Sequence, residues 1–266
     1  MEKRFAELRG LIGDMGKVAV AYSGGVDSTL LLKIARDELG NNAGAIICSG
    51  DLMPSGEVEA ALLTARSIGV EAAVVRVDLS SVPEVTENHP DRCYHCKRAV
   101  FRGIIDRAWV MGIDSVVDGT HRGDRDDDRP GMRALRELGV RSPLAEAGMD
   151  KEDIREASRK LGLPTADRPA SPCLATRIPF YEPITPEKLS QVDRAESLLK
   201  NRGYRLVRVR HHGDIARIEL EAAELSRAVE EREAITAGLV DLGFTYVALD
   251  LKGFRSGSMS EALKGR

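Results

Sequence analysis

Ser23–Gly24–Gly25–Val26–Asp27–Ser28 sets two hydroxyls, a carboxylate and two adjacent glycines at the end of an apolar run. Glycine lets the backbone approach a ligand and take positive φ. The amphipathic stretch from Ser28 through Ile34 then starts a helix whose first amides lack partners within it. Orphan amides and the helix dipole together make an anion site, and phosphate is the anion such turns hold. No Gly-Lys-Ser/Thr follows, so this is not a Walker A loop, and the spacing is not GxGxxG. The plain alternative is a strand-to-helix turn with serines as caps.

Cysteine supplies a second group. Cys93 and Cys96 form a CxxC, and Cys173 lies far along in a proline-rich loop. Thiols two residues apart can share one metal ion or cluster. Structural zinc normally takes four protein ligands, for which His89 and His95 are possible additions. Three thiolates on a cubane iron–sulfur cluster leave one iron open, which suits ligand or sulfide binding. A thioredoxin-like redox pair and uncoordinated thiols acting as sulfur donors are further readings. Arg177, four residues after Cys173, is placed to lower that thiol's pKa. Cys48 ends an apolar strand and reads as a small buried hydrophobe.

The elements that must position these groups alternate. Val18–Tyr22, Ala43–Cys48, Ala72–Val77, Ser115–Thr120 and a weaker Val140–Leu144 read as strands. Helical patterns cover the stretches between them, including 57–69, 91–111 and 124–139, and Asp150 caps one more. Alternation of this kind means βαβ units, a parallel sheet and right-handed crossovers that put helices on both faces. Ligands bind beyond the strand C-termini. Ser23–Ser28, Cys48–Ser49 and Asp118–Gly119–Thr120 all end strands and are expected at one site. Beyond Thr165 the prolines accumulate and the pattern becomes a small α+β domain: a helix from Glu187, strands at 205–210, 215–220 and 245–249, and a turn at His212–Gly213–Asp214. The expected domains are 1–165 and 166–266.

The chain has 266 residues, 42% hydrophobic and 30% charged, with net charge −3. That charge provides no field for a polyanion and argues against a nucleic-acid partner. No apolar run approaches the ~20 residues that span a bilayer. Met1–Arg4 leads into an amphipathic helix and not a signal peptide, so a cytoplasmic protein is expected. Four cysteines are no disulfide framework in a chain of this length.

The glycine loop looks like that of the N-type ATP pyrophosphatases, which split ATP into AMP and pyrophosphate. Taken with Asp91–Lys97, Asp118–Thr120, the segment 168–179 around Pro172–Cys173–Leu174, Arg208–Gly213 and Leu251–Met259, the chain resembles the LarE family over nearly its whole length. The resemblance implies an ATP-dependent sulfur transferase that adenylates a carboxylate of a pyridinium-dicarboxylate mononucleotide and converts it to a thiocarboxylate. One branch of the family sacrifices the cysteine at the position of Cys173, leaving dehydroalanine. The other holds a 4Fe–4S cluster on three cysteines, and Cys93, Cys96 and Cys173 resemble that branch.

The resemblance also implies that Ser23, Gly24, Gly25, Val26, Asp27, Ser28, Cys48, Ser49, Asp118, Gly119 and Thr120 bind ATP. Ser23, Asp27 and Cys173 are the expected catalytic residues. Asp27 and Asp118 are candidate Mg2+ contacts, with loop bracing and helix capping as alternatives. Arg208 and Arg210, at i, i+2 on a strand, match an arginine pair for the substrate phosphate. A solvated sheet edge is their alternative. Glu196 and Glu219 match acidic residues of a divalent-ion site. A nucleotide-like substrate, a sulfide donor and a homo-oligomer are the expected partners. A tRNA thiolase on the same ATP domain is one rival; a non-catalytic adenine-nucleotide module with structural zinc is another.

Overall fold

The computed structural model describes residues 2–125, 130–255 and 257–259. Met1, residues 126–129 of the predicted 124–139 helix, Ser256 of the Leu251–Met259 motif and residues 260–266 of the expected second domain lie outside the described residues. In chain order the elements are α1 (Glu2–Gly13), β1 (Val18–Ala21), α2 (Val26–Leu39), β2 (Ala43–Ser49), α3 (Glu57–Ser67), β3 (Ala72–Arg76), α4 (Pro83–Thr86), α5 (Arg92–Val110) and β4 (Val116–Val117). There follow α6 (Arg122–Arg125), α7 (Pro130–Glu137), α8 (Pro143–Glu146), α9 (Lys151–Lys160), α10 (Pro186–Asn201), β5 (Arg208–His212), β6 (Ile215–Glu219), α11 (Leu225–Glu230), α12 (Arg232–Val240) and β7 (Tyr246–Leu249).

The chain divides into two compact units, the first made of 1–50, 55–82 and 91–171 and the second of 51–54, 83–90 and 172–266. In the first, the described strands form a parallel sheet in the order β3-β2-β1-β4. Successive side chains of a strand face opposite sides, and both sides are apolar here. Val18, Val20, Ala45 and Ile47 pack into a core with α1, α2, α3 and α9. Ala19 and Ile46 face a separate core with Phe101, Ile104 and Ala108 of α5 and Leu135 of α7. This is the doubly covered α/β fold expected of an ATP pyrophosphatase domain.

The predicted fifth strand, Val140–Leu144, does not form. Arg141 makes a single parallel bridge to Val117, and Pro143 then opens α8 at its first turn. Proline has no N–H for a ladder and its fixed φ suits a helix start. Strand β4 is shorter than expected, only Val116–Val117, and the bridge beside it consists of Arg141 N donating to Val116 O and Asp118 N donating to Arg141 O. The Asp150 cap forms as a full capping box: its carboxylate accepts from the amides of Glu152 and Asp153, and Asp153 accepts from the Asp150 N–H.

In the second unit β5 pairs antiparallel with β6 and β6 parallel with β7. Val209, Ala216 and Ile218 share a core with Ala195 and Leu199 of α10, Ala228 of α11 and Ile235 and Leu239 of α12. The division between units is not a single cut at 165. Residues 166–171 stay with the first unit, where Arg155 donates to the carbonyls of Ala166 and Arg168. Two short distant stretches join the second. Leu174 N donates to Leu52 O at 2.8 Å, and Asn88 Nδ2 donates to Pro179 O at 2.7 Å and Glu182 O at 3.0 Å. No helix among the described residues is long and apolar enough to cross a membrane.

Candidate functional site

In the first unit the Ser23–Ser28 loop joins β1 to α2 beside β4, where the strand order reverses. Gly24 has φ +73° and Gly25 is the N-cap of α2, with no side chain capping that helix. The serines are therefore not its caps. Instead they brace one another: Ser23 Oγ lies 3.1 Å from Ser28 Oγ, and Ser23 N donates to Ser28 Oγ at 3.3 Å. Gly119, after β4, closes on the same loop. A Cβ there would lie 3.0 Å from Ser28 N and 3.3 Å from the Asp27 carbonyl carbon, so a side chain would push the loop aside.

The carboxylates expected to contact a metal have protein partners. Asp27 accepts from Lys151 Nζ through both oxygens, at 2.7 and 2.6 Å, which brings an ammonium to the anion loop. Buried Asp118 accepts from Ser142 Oγ at 2.6 Å and from both the hydroxyl and the amide of Thr120. Arg168 donates to Gly24 O at 3.2 Å and pairs with Glu57 at 2.8 Å. Ser49 Oγ donates to Val75 O. Cys48 packs among the apolar side chains under α5, and burial pushes its thiol up to about 11.

None of the four cysteines is in a disulfide. Cys93 and Cys96 lie one turn apart at the start of α5 in the first unit, and Cys173 precedes a short 3-10 helix, Leu174–Arg177, in the second. Arg177 is buried, with a side chain 1% exposed, and pairs bidentately with Glu196 at 2.8 Å. Its remaining amine donates to the carbonyls of Pro172 and Cys173 and to Thr176 Oγ1. Arg177 thus fixes the Cys173 loop by its backbone, with its charge met by a glutamate.

Arg208 and Arg210 sit on β5 on the face opposite core residue Val209. They are 6% and 5% exposed, so they are no solvated edge. Burial, with Arg177 and Arg210 as repelling neighbours, pulls the Arg208 guanidinium down to about 10, which still leaves it a cation at neutral pH. Arg210 pairs with fully buried Glu219 at 2.6 Å and donates to Thr176 O at 3.0 Å, while its Nε has no hydrogen-bond partner among the described residues. A buried donor left unsatisfied costs about 1–3 kcal/mol. A phosphate oxygen would satisfy it. Glu196 also accepts from Val209 N, and Glu219 from Arg217 and Ser258. No group of three or more His, Cys, Asp or Glu side chains among the described residues is gathered so as to hold a metal ion.

No protein-family model matches the chain. It is 41% identical to an uncharacterized protein of Synechocystis, over 99% of both chains. It is also 38% identical to the pyridinium-3,5-bisthiocarboxylic acid mononucleotide synthase of Lactiplantibacillus plantarum, over 97% of this chain and 94% of that one. The chain belongs to the LarE family. A more distant match, 29% identical over 71% of the chain, is the glutamine-hydrolysing GMP synthase of Aeropyrum pernix, of which it covers 40%.

As a LarE protein the chain is an enzyme. Sequence reasoning missed Lys151, Arg168 and Ser142 as members of the loop's surroundings. Lys151 is the first residue of α9, 124 positions from Asp27, and only the Asp150 capping box hinted that this helix start was fixed. Arg168 was legible as part of a motif, but nothing in its neighbours pointed to Gly24.

Proposed function

We propose that this LarE protein uses ATP to adenylate a carboxylate of a pyridinium-dicarboxylate mononucleotide and replaces the activated oxygen with sulfur. The observation that carries this reading is the uncapped start of α2 behind Ser23–Ser28, closed by Gly119 and supplied with the Lys151 ammonium. The name of the Lactiplantibacillus relative supports the substrate class. In the first step a carboxylate oxygen attacks the α-phosphorus and pyrophosphate leaves. A sulfur nucleophile then attacks the acyl carbon and AMP leaves. The loop amides and Lys151 hold the departing negative charge without proton transfer. Asp27 and Asp118 are the residues that would hold Mg2+, which would further neutralise the pyrophosphate.

Arg208 and Arg210 bind the substrate's phosphate. Glu196, which accepts from Arg177, and Glu219, which accepts from Arg210, Arg217 and Ser258, are the carboxylates beside the arginine pair that would hold a divalent ion there. For the sulfur we favour a 4Fe–4S cluster that Cys93, Cys96 and Cys173 would hold, since thiolate sulfur is the donor iron–sulfur clusters take and none of the three is in a disulfide. When bound, it would supply an iron open to sulfide. The second route spends Cys173 itself: its thiolate attacks the acyl carbon, and loss of the Cα proton with cleavage of Cβ–S leaves dehydroalanine.

With ATP, Mg2+ and the dicarboxylate mononucleotide, AMP and pyrophosphate are the expected products. ADP and phosphate as sole products would overturn the adenylation. Anaerobic reconstitution should give about four irons per chain and turnover beyond one sulfur per chain when sulfide is supplied. Iron-free protein that loses roughly 34 Da at Cys173 during turnover would instead establish the sacrificial route.

A further inference from the structure

The motif Leu251–Met259 has no role in the chemistry above, yet it lies against the arginine pair. After β7 the chain turns at Asp250, and Phe254 N donates to Leu220 O at 2.7 Å, binding the segment to the end of β6. Gly253 makes this approach possible: it has φ +67°, and a Cβ would lie 2.8 Å from Leu220 O. Phe254 then sets its ring under Arg208, whose guanidinium carbon is 5.4 Å from the ring centroid. Ser258 enters the second guanidinium's carboxylate pair. Its hydroxyl donates to Glu219 Oε1 at 2.7 Å and accepts from Arg210 Nη2 at 3.1 Å. Around it, Arg217 donates to Met259 Sδ at 3.6 Å and pairs with Asp250, which also receives Arg255 at 3.2 Å.

We infer that Ser258 and Phe254 are positioning residues for the phosphate site, holding Arg210 and Arg208 in the orientation that a phosphate monoester of a pyridinium nucleoside requires. This rests on the assignment of the arginines to the substrate phosphate. A guanidinium forms two parallel bonds to phosphate only when its plane is fixed. Glu219 holds Arg210 through Nη2 and the Thr176 carbonyl holds it through Nη1, so the guanidinium plane rests on one contact at each amine. The Ser258 hydroxyl adds a second partner at Nη2 and, together with Arg217, ties the opposite oxygen of Glu219, which resists rotation of that carboxylate away from Arg210. Arg210 Nε, which no described residue bonds, is then left for the ligand. The Phe254 face gives Arg208 a flat support through a cation–π contact.

The test is calorimetry with nicotinic acid mononucleotide and, in parallel, the riboside that lacks its phosphate. Ser258→Ala should weaken mononucleotide binding about tenfold, the loss of one hydrogen bond to a charged group, and leave riboside binding unchanged. Ser258→Thr, which keeps the hydroxyl, should restore it. Phe254→Leu should weaken mononucleotide binding roughly threefold, and it carries the test if Ser258→Ala does not fold. Equal losses for mononucleotide and riboside would make the segment merely structural and overturn the inference. Wild-type mononucleotide affinity in the Ser258 and Phe254 variants, with affinity lost in Arg210→Ala, would overturn it while leaving the phosphate site standing. Unchanged affinity in Arg210→Ala would instead remove the phosphate site itself.

Discussion

On the proposed reading, the two units would hold anions by opposite means. The loop at the start of α2 uses backbone amides, two hydroxyls that brace each other and one ammonium, so its residues are small and nearly contiguous. The second unit instead buries full charges: Arg177 is set against Glu196 and Arg210 against Glu219, while Arg208 lies over the Phe254 ring. Amides bring partial charge with little desolvation cost, whereas a buried guanidinium must be met by a partner or cost several kcal/mol.

This contrast should show most strongly in stability. Glu196→Ala leaves Arg177 buried without its carboxylate and should cost about 3–5 kcal/mol, read by chemical denaturation. A cost below ~1 kcal/mol would mean that water reaches the pair, and the contrast between units would break there. Arg210→Ala comes next. It should weaken mononucleotide binding roughly 10- to 150-fold and leave ATP binding intact, because only one charge-assisted contact set is lost.

Lys151→Ala sharpens the other half. Its pair with Asp27 is partly exposed, with side chains 38% and 25% accessible, so unfolding free energy should change by less than about 1 kcal/mol. Pyrophosphate release should nevertheless fall at least tenfold, about 1.4 kcal/mol of barrier. A variant that loses stability but not turnover would make Lys151 a brace and not a charge for the leaving group.

The smallest expected effect is a pH dependence confined to the second unit. Burial lowers the pKa of His211 and His212 from 6.5. The unfolded chain then takes up protons first as pH falls, so the stability these residues provide is complete above pH 6.5 and is lost as pH drops through their folded values. Denaturation midpoints from pH 7.5 to 5 should decline accordingly, and His211→Gln should flatten the slope. A slope unchanged in that variant would place the dependence elsewhere.

Thiol reactivity separates the cysteines in the same spirit. Cys48, pushed up to about 11 by burial, should be the slowest of the four to alkylate in the folded protein at pH 8. Fast modification of Cys48 would contradict its packing under α5.

Local physics was sufficient for much of this protein. The strands β1, β2 and β3 are apolar runs, the Asp150 cap is a short-range carboxylate–amide contact, and Ser23–Ser28 needs nothing beyond two glycines and a helix start. All were legible because their determinants lie within a few residues of one another. The same holds for the i, i+2 spacing that puts Arg208 and Arg210 on one face. Sequence did not show that Pro143 turns the expected fifth strand into α8, since β4 had first to end at Asp118 to leave Arg141 only a bridge. Nor did it show the protein partners of Asp27, Glu196 and Glu219, because a carboxylate's partner is chosen by proximity in space. Lys151, Arg177, Arg210 and Ser258 reach them only once the chain is folded. The units themselves are discontinuous for the same reason: the Asn88 amide finds its carbonyls about ninety residues ahead, and hydrogen bonding across that distance leaves no periodic trace in the residues between.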